Sequence, residues 1–202
     1  MKRMESCTST WSASPGIVIT KARYCEGETF AEFMARETIN HALWVGITHH
    51  VSIPLEMSAR VDALGGRWHL LVLSEDWCGD AVNIVPIAAK LTESVSNMDL
   101  RILARDENLD IMDSHLTGTS RSIPIVILLN KKYEECGWWG PRPRALQKWV
   151  VEEGMKLPKD ERYKEIRRFY ARDRGLTTME EIVSMLEHCC RTIEPTRAAT
   201  VE

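Results

Sequence analysis

Apolar and polar positions alternate at helical spacing near the start of the chain. Phe30, Phe33 and Met34 recur at that spacing behind Thr29-Phe30-Ala31-Glu32, whose Thr and Glu fit a capping box. The pattern predicts a helix from about Thr29 to about Leu43. Ser52-Ile53-Pro54 opens another helix, with Met57, Val61 and Leu64 on one face and Gly65-Gly66 closing it. Upstream, residues 1–27 are rich in Ser and Thr with weak periodicity and read as a partly ordered lead-in.

The rhythm then changes. Trp68-His69-Leu70-Leu71-Val72-Leu73 is a short, continuous apolar run, the signature of a strand buried on both faces. After Cys78 the pattern is helical again, with Ala81, Val85, Ala88 and Ala89 on one side. Leu100–Ala104 is a second strand, and Leu109 to about Leu116 a short helix. Ile125–Leu129 is a third, strongly apolar strand, and Asn130-Lys131-Lys132 turns the chain into a fourth from about Tyr133 to Trp138. Beyond Gly140 the reading is all helix. Ala145, Leu146, Trp149 and Val150 form one apolar face, and Tyr163, Ile166 and Tyr170 another. Met179, Ile182, Val183 and Leu186 form the last, with Thr178 to Glu181 as its capping box. The middle of the chain is therefore β-α-β-α-β-β-α, with helices added at both ends. The expected boundaries are 1–66 for the N-terminal lead-in and helices, 67–157 for the α/β core and 158–202 for the C-terminal helices, together making one compact domain.

Composition sharpens this picture mainly by exclusion. With 44% hydrophobic and 27% charged residues, the chain is an ordinary globular one. A formal charge of -3 provides no broad attraction to nucleic acid or an anionic membrane. No apolar run approaches the roughly 18 residues that span a bilayer. The basic start Met1-Lys2-Arg3 is not followed by a secretory apolar stretch, so a cytoplasmic protein is expected. In that reducing compartment the six cysteines, Cys7, Cys25, Cys78, Cys136, Cys189 and Cys190, are expected as free thiols.

Candidate chemistry centres on Ser74-Glu75-Asp76-Trp77-Cys78-Gly79-Asp80-Ala81, at the junction of the first strand and its helix. Trp77-Cys78-Gly79 stands at that junction and Pro86 follows Cys78 by eight residues. Arg101 to Asn108 is a strand ending in an acidic, asparagine-containing turn, and Ser122-Ile123-Pro124 precedes an apolar strand. In this order the pieces resemble the thioredoxin family, over roughly Trp68 to Val151. The resemblance implies a thioredoxin-like α/β fold, a small central mixed sheet flanked by helices, with the added helices outside it. It also implies thiol–disulfide exchange at Cys78, with a cis Ile123-Pro124 segment holding the substrate backbone.

Physical chemistry supports part of that role. A cysteine at a helix start faces unpaired N–H groups and the positive end of the helix dipole, which favour thiolate, the nucleophilic form. Trp77 is expected to shield one side of the sulfur. The departures are as informative. The family's resolving cysteine falls at Ala81 and its buried acid at Val72. Asp80 stands where the family commonly has proline, and its carboxylate opposes a second negative charge on Cys78. The sequence leaves the sign of the net shift on the thiol open.

Two functions follow. In one, Cys78 is the nucleophile of a monothiol oxidoreductase, tuned by Asp80. Its partners are protein or peptide thiols and disulfides, and glutathione, another external thiol or a distant cysteine resolves the intermediate. In the other, the groove between the Cys78 loop and Ile123-Pro124 is a redox-inactive binding module for a peptide or protein. Trp138, Trp139 and Arg142 are candidate interface residues, with the alternation of a strand placing one Trp in the core and the other at the rim. His115 and Arg121 are candidates to approach the Pro124 loop, although His115 reads first as an ordinary helix-end residue. His49-His50 and Cys189-Cys190 lack the spacing of zinc ligands, so no metal site and no bound cofactor are expected.

Overall fold

The computed structural model describes residues 17–36 and 39–193. Cys7 and most of the Ser/Thr-rich lead-in lie outside the described residues. Four strands, β1 (Trp68–Ser74), β2 (Met98–Ala104), β3 (Ile125–Leu129) and β4 (Glu135–Trp139), form one mixed sheet in the order β2-β1-β3-β4. β1 pairs in parallel with β2 and antiparallel with β3, and β3 pairs antiparallel with β4. The central strands β1 and β3 are buried at every residue, as their unbroken apolar runs require. The parallel β1–β2 pair needs a crossover, which α5 (Ala81–Glu93) supplies, and α6 (Leu109–Asp113) leads from β2 toward β3.

The edges of the sheet are managed separately. Glu28 exchanges both backbone hydrogen bonds with Ile102 at 2.8 Å, so the N-terminal segment covers the free edge of β2. At the other edge, β4 buries Gly137 and Trp139, while Glu135, Cys136 and Trp138 are half-buried.

Helices on both sides of the core sequence share a single hydrophobic core with the sheet. α5 lies against β1 and β2 and is flanked by α3 (His41–His50) and α9 (Leu176–Ile193). α9 also packs on β4 and on α4 (Leu55–Ala63), while α7 (Arg144–Glu152) packs on α8 (Lys159–Asp173). The α8–α9 turn is pressed onto α5. At Gly175, φ is +82° and a Cβ would lie 2.3 Å from Ile87 Cδ1, so a side chain is excluded on both counts.

Three expectations are corrected here. The helix expected over Thr29–Leu43 is two helices. α2 (Phe30–Ala35) keeps the capping box, but Arg36 is extended and Asn40 is left-handed, so α3 begins on a new axis at His41. The break is useful, because it lets Trp44 Nε1 donate to the Asp76 carbonyl at 2.9 Å and Ile39 N–H to the Asp76 carboxylate at 3.0 Å. These bonds clamp the loop that precedes Cys78. Within the lead-in, Thr20 caps a short helix, α1 (Lys21–Cys25). Finally, Thr178 caps nothing: α9 starts at Leu176, and the Asp173 carboxylate accepts from Thr177 N–H instead. Among the described residues no helix is long and apolar enough to cross a membrane.

Candidate functional site

Cys78 sits in the turn between β1 and α5, its N–H bonded to the Glu75 carbonyl at 3.2 Å and its carbonyl accepting from Val82 at 3.2 Å. The loop is held from several directions. Besides the Asp76 clamp, the Glu75 carboxylate accepts from Asp106 N–H at 2.8 Å, tying it to the turn after β2. Trp77 is 46% exposed, and the Arg105 guanidinium lies over its ring at 5.3 Å. Arg105 in turn donates to the Arg121 carbonyl at 2.7 Å, so Trp77 belongs to a ring of contacts around the rim.

The sulfur itself is mostly covered, Cys78 being 9% exposed. Its Sγ lies 3.5 Å from the Ile123 carbonyl oxygen, in hydrogen-bonding contact, and the Ile123–Pro124 peptide bond is cis. Behind this segment, Gly140 (φ +137°) backs directly onto Pro124. A Cβ there would lie 2.3 Å from the Pro124 carbonyl oxygen. The Cys78 loop, the Ile123–Pro124 segment and the Gly140–Arg142 turn thus meet at one point.

Asp80 explains why the third of these is present. It occupies the N-cap position of α5 but makes no cap hydrogen bond there. Its side chain turns inward, and the residue is only 6% exposed. The Arg142 guanidinium pairs with it through both oxygens, Nε to Oδ1 at 2.9 Å and Nη2 to Oδ2 at 2.5 Å. The hydroxyl of Tyr170, on α8, donates to Oδ1 at 2.8 Å. Arg142 is further held by Gln147 Oε1 at 3.0 Å. A buried carboxylate with three donor contacts is satisfied rather than orphaned. It also ties the C-terminal helices to the cysteine loop.

This environment decides the sign that the sequence leaves open. Burial pushes the Cys78 thiol up, and the Asp80 charge adds to that. The N–H groups of Ala81 and Asp80 and the Arg142 charge pull it down without prevailing. Val72, where the family's buried acid would stand, is fully buried among apolar neighbours.

The remaining candidates divide. Trp139 is not an interface residue. It is 2% exposed, and its Nε1 donates to Glu181 on α9 at 2.6 Å. Arg142 is likewise not at a free surface, because Asp80 engages it internally. Trp138 is half-buried and meets His115 edge-on, with ring centroids 5.6 Å apart. His115 is fully buried, bridging the Ile111 carbonyl at 2.7 Å and Glu135 at 3.2 Å, and so faces β4 rather than the Pro124 loop. Arg121 pairs with Asp113. Tyr170 is the residue sequence reasoning missed: at helical spacing it reads as core, and nothing local signals that its hydroxyl seeks Asp80.

A family model described as thioredoxin matches residues 27–162, so α2, α3 and α4 fall inside the matched region rather than outside it, while α1 precedes it. No curated protein matches the chain. Two solved structures share its fold. One is a 1.5 Å crystal structure of a protein of unknown function from Pseudomonas aeruginosa, 18% identical with a TM-score of 0.68. It matches over 84% of this chain and 98% of that one. The other is an HIV epitope-scaffold, 19% identical with a TM-score of 0.66 and the same coverage of each chain.

Proposed function

Since this chain belongs to the thioredoxin family, we propose that it is a single-cysteine thiol–disulfide oxidoreductase acting through Cys78. The observation that carries this reading is the contact of Cys78 Sγ with the Ile123 carbonyl at 3.5 Å beside a cis Pro124. An extended peptide pairing with the backbone of Ile123 would bring its own disulfide against the sulfur. Cys78, as thiolate, attacks one sulfur of that disulfide, and the other sulfur leaves as a thiolate. The resulting mixed disulfide is broken by an external thiol such as glutathione, whose thiolate attacks the Cys78 sulfur and expels the substrate sulfur as the second thiol. A second external thiol then attacks the Cys78 adduct, releasing Cys78 as thiol and leaving the two external thiols joined as a disulfide.

Asp80 enters as a tuning group whose negative charge is paired with Arg142, so the repulsion facing a thiolate is partly cancelled. Trp77 shields the rim. With Val72 in place of an acid and Ala81 in place of a second cysteine, proton transfer and resolution both fall to groups outside the protein. A slow enzyme, faster at higher pH, is the expected result.

A second reading, a redox-inactive peptide-binding module using the same groove, is favoured by one observation, the burial that raises the Cys78 thiol. Reduction of a small disulfide substrate with glutathione present separates the two. Exchange that disappears in Cys78→Ser supports the oxidoreductase. Activity equal in wild type and Cys78→Ser contradicts it, and peptide binding with no exchange supports the module.

A further inference from the structure

A second pair of thiols lies elsewhere in the molecule. Cys136 is half-buried on β4, and Cys189 is fully buried on α9, which packs on that strand. Cys189 Sγ donates to the Cys136 carbonyl oxygen at 3.1 Å, which sets its thiol directly against Cys136. The closeness of the two thiols holds Cys136 below its ordinary value and pushes Cys189 above it, where burial adds to the effect. One partner is thus poised to attack and the other to hold the proton until it is needed.

This pair is remote from Cys78. Cys78 touches Ile123, just before β3, whereas Cys136 flanks the Gly137↔Leu128 pairing at the far end of that strand. Ile123 and Leu128 are five positions apart along the chain, roughly 16 Å at the rise of extended chain. Cys190, although adjacent in sequence, turns away, its Sγ pointing to the Leu64 carbonyl at 3.8 Å.

We propose that Cys136 and Cys189 form a reversible intramolecular disulfide, a second thiol–disulfide centre oxidised by a small disulfide such as oxidised glutathione. The Cys136 thiolate attacks one sulfur of the small disulfide, and the other half leaves as a thiol after taking up a proton. Cys189 then loses its proton and attacks the Cys136 sulfur of the mixed disulfide, expelling the second half as thiol. Two protein thiols are oxidised to one disulfide, and one small disulfide is reduced to two thiols. The product staples α9 to the edge strand of the sheet. The proposal is independent of any reactivity at Cys78.

The test incubates the full chain with oxidised glutathione at neutral pH, followed by alkylation and non-reducing peptide mapping. Exposed Cys25 serves as an internal control for the oxidant. The expected result is a cross-linked peptide pair that fragmentation assigns to Cys136 and Cys189, reversed by excess thiol and retained in Cys78→Ser and Cys190→Ser. In Cys189→Ser the expected product is a stable glutathione adduct on Cys136. The proposal is overturned if both thiols stay free while Cys25 is fully modified. It is also overturned if wild type carries only a glutathione adduct on Cys136, or if the link joins Cys190.

Discussion

Replacing Arg142 by Met keeps the length of the side chain and removes its charge, leaving the Asp80 carboxylate buried with Tyr170 as its remaining side-chain donor. Both partners are largely out of water, with side chains 16% and 6% exposed, and two hydrogen bonds join them at 2.9 and 2.5 Å. Breaking one half of such a pair strands a charge and costs about 3–5 kcal/mol. For a chain of this size each kcal/mol moves Tm by about 2–4 °C, so the expected drop is on the order of 6–20 °C. Urea unfolding of wild type, Arg142→Met, Asp80→Asn and the double variant measures the coupling, which should be on the order of 2 kcal/mol. The same substitution removes the positive charge that pulls the Cys78 thiol down, so the alkylation midpoint of Cys78 should rise further. A loss below about 1 kcal/mol, the size expected of an exposed pair, would refute the claim that this pair is structural. An unchanged Cys78 midpoint would refute its role in tuning the thiol.

Further outcomes follow from the same geometry. Tyr170→Phe removes one donor to the Asp80 carboxylate and should cost about 1.5–3 kcal/mol in urea unfolding, less than Arg142→Met. Gly140→Ala should cost about 3 kcal/mol or more, because the left-handed side of φ and the 2.3 Å approach to the Pro124 carbonyl both exclude a Cβ. A loss under about 1 kcal/mol would mean that the Gly140 turn does not brace the Pro124 segment. At the far end of the sheet, burial pushes the Asp99 carboxyl up, but hydrogen bonds from His69, Tyr24 and Arg67 outweigh this and hold it below the usual carboxylate range. Its folded value lies below the unfolded one of about 3.9, so its contribution is complete above that pH and lost as pH falls toward the folded value. Urea midpoints measured from about pH 5 to pH 2 should therefore fall more steeply for wild type than for Asp99→Asn.

How much of this was legible in the sequence depended on the range of the interaction. Strands β1 and β3 announced themselves because burial on both faces demands an unbroken apolar run. The Thr29 capping box is a contact between residues three apart, and it too was readable. The split between α2 and α3 was not, because apolar spacing continues across it while the chain turns at Arg36 and Asn40. The identity of Cys78, Ile123 and Pro124 as neighbours came from a resemblance in motif order. The surroundings of Asp80 did not come from anything local. Its partners stand 62 and 90 residues away, and neither an arginine in a Pro-rich turn nor a tyrosine on a helix face declares which buried acid it serves. Arg142 reads as a candidate interface residue for that reason, and only the docking of α9, where Glu181 meets Trp139, shows which of the two tryptophans is the core one. The Cys136–Cys189 contact was hidden similarly, since only the docking of α9 on β4 brings the two together.

The account rests on Cys78 being a mostly covered but reactive nucleophile that burial and Asp80 hold as a thiol at neutral pH. Its alkylation rate in the folded protein, measured from about pH 6 to pH 10 against Cys78→Ser, tests this most directly. The predicted result is a rate that climbs with pH to a midpoint above that of an ordinary cysteine thiol, with Cys78 identified as the modified site. A Cys78 that stays unmodified across that range, and reacts only when the protein is unfolded, would contradict it.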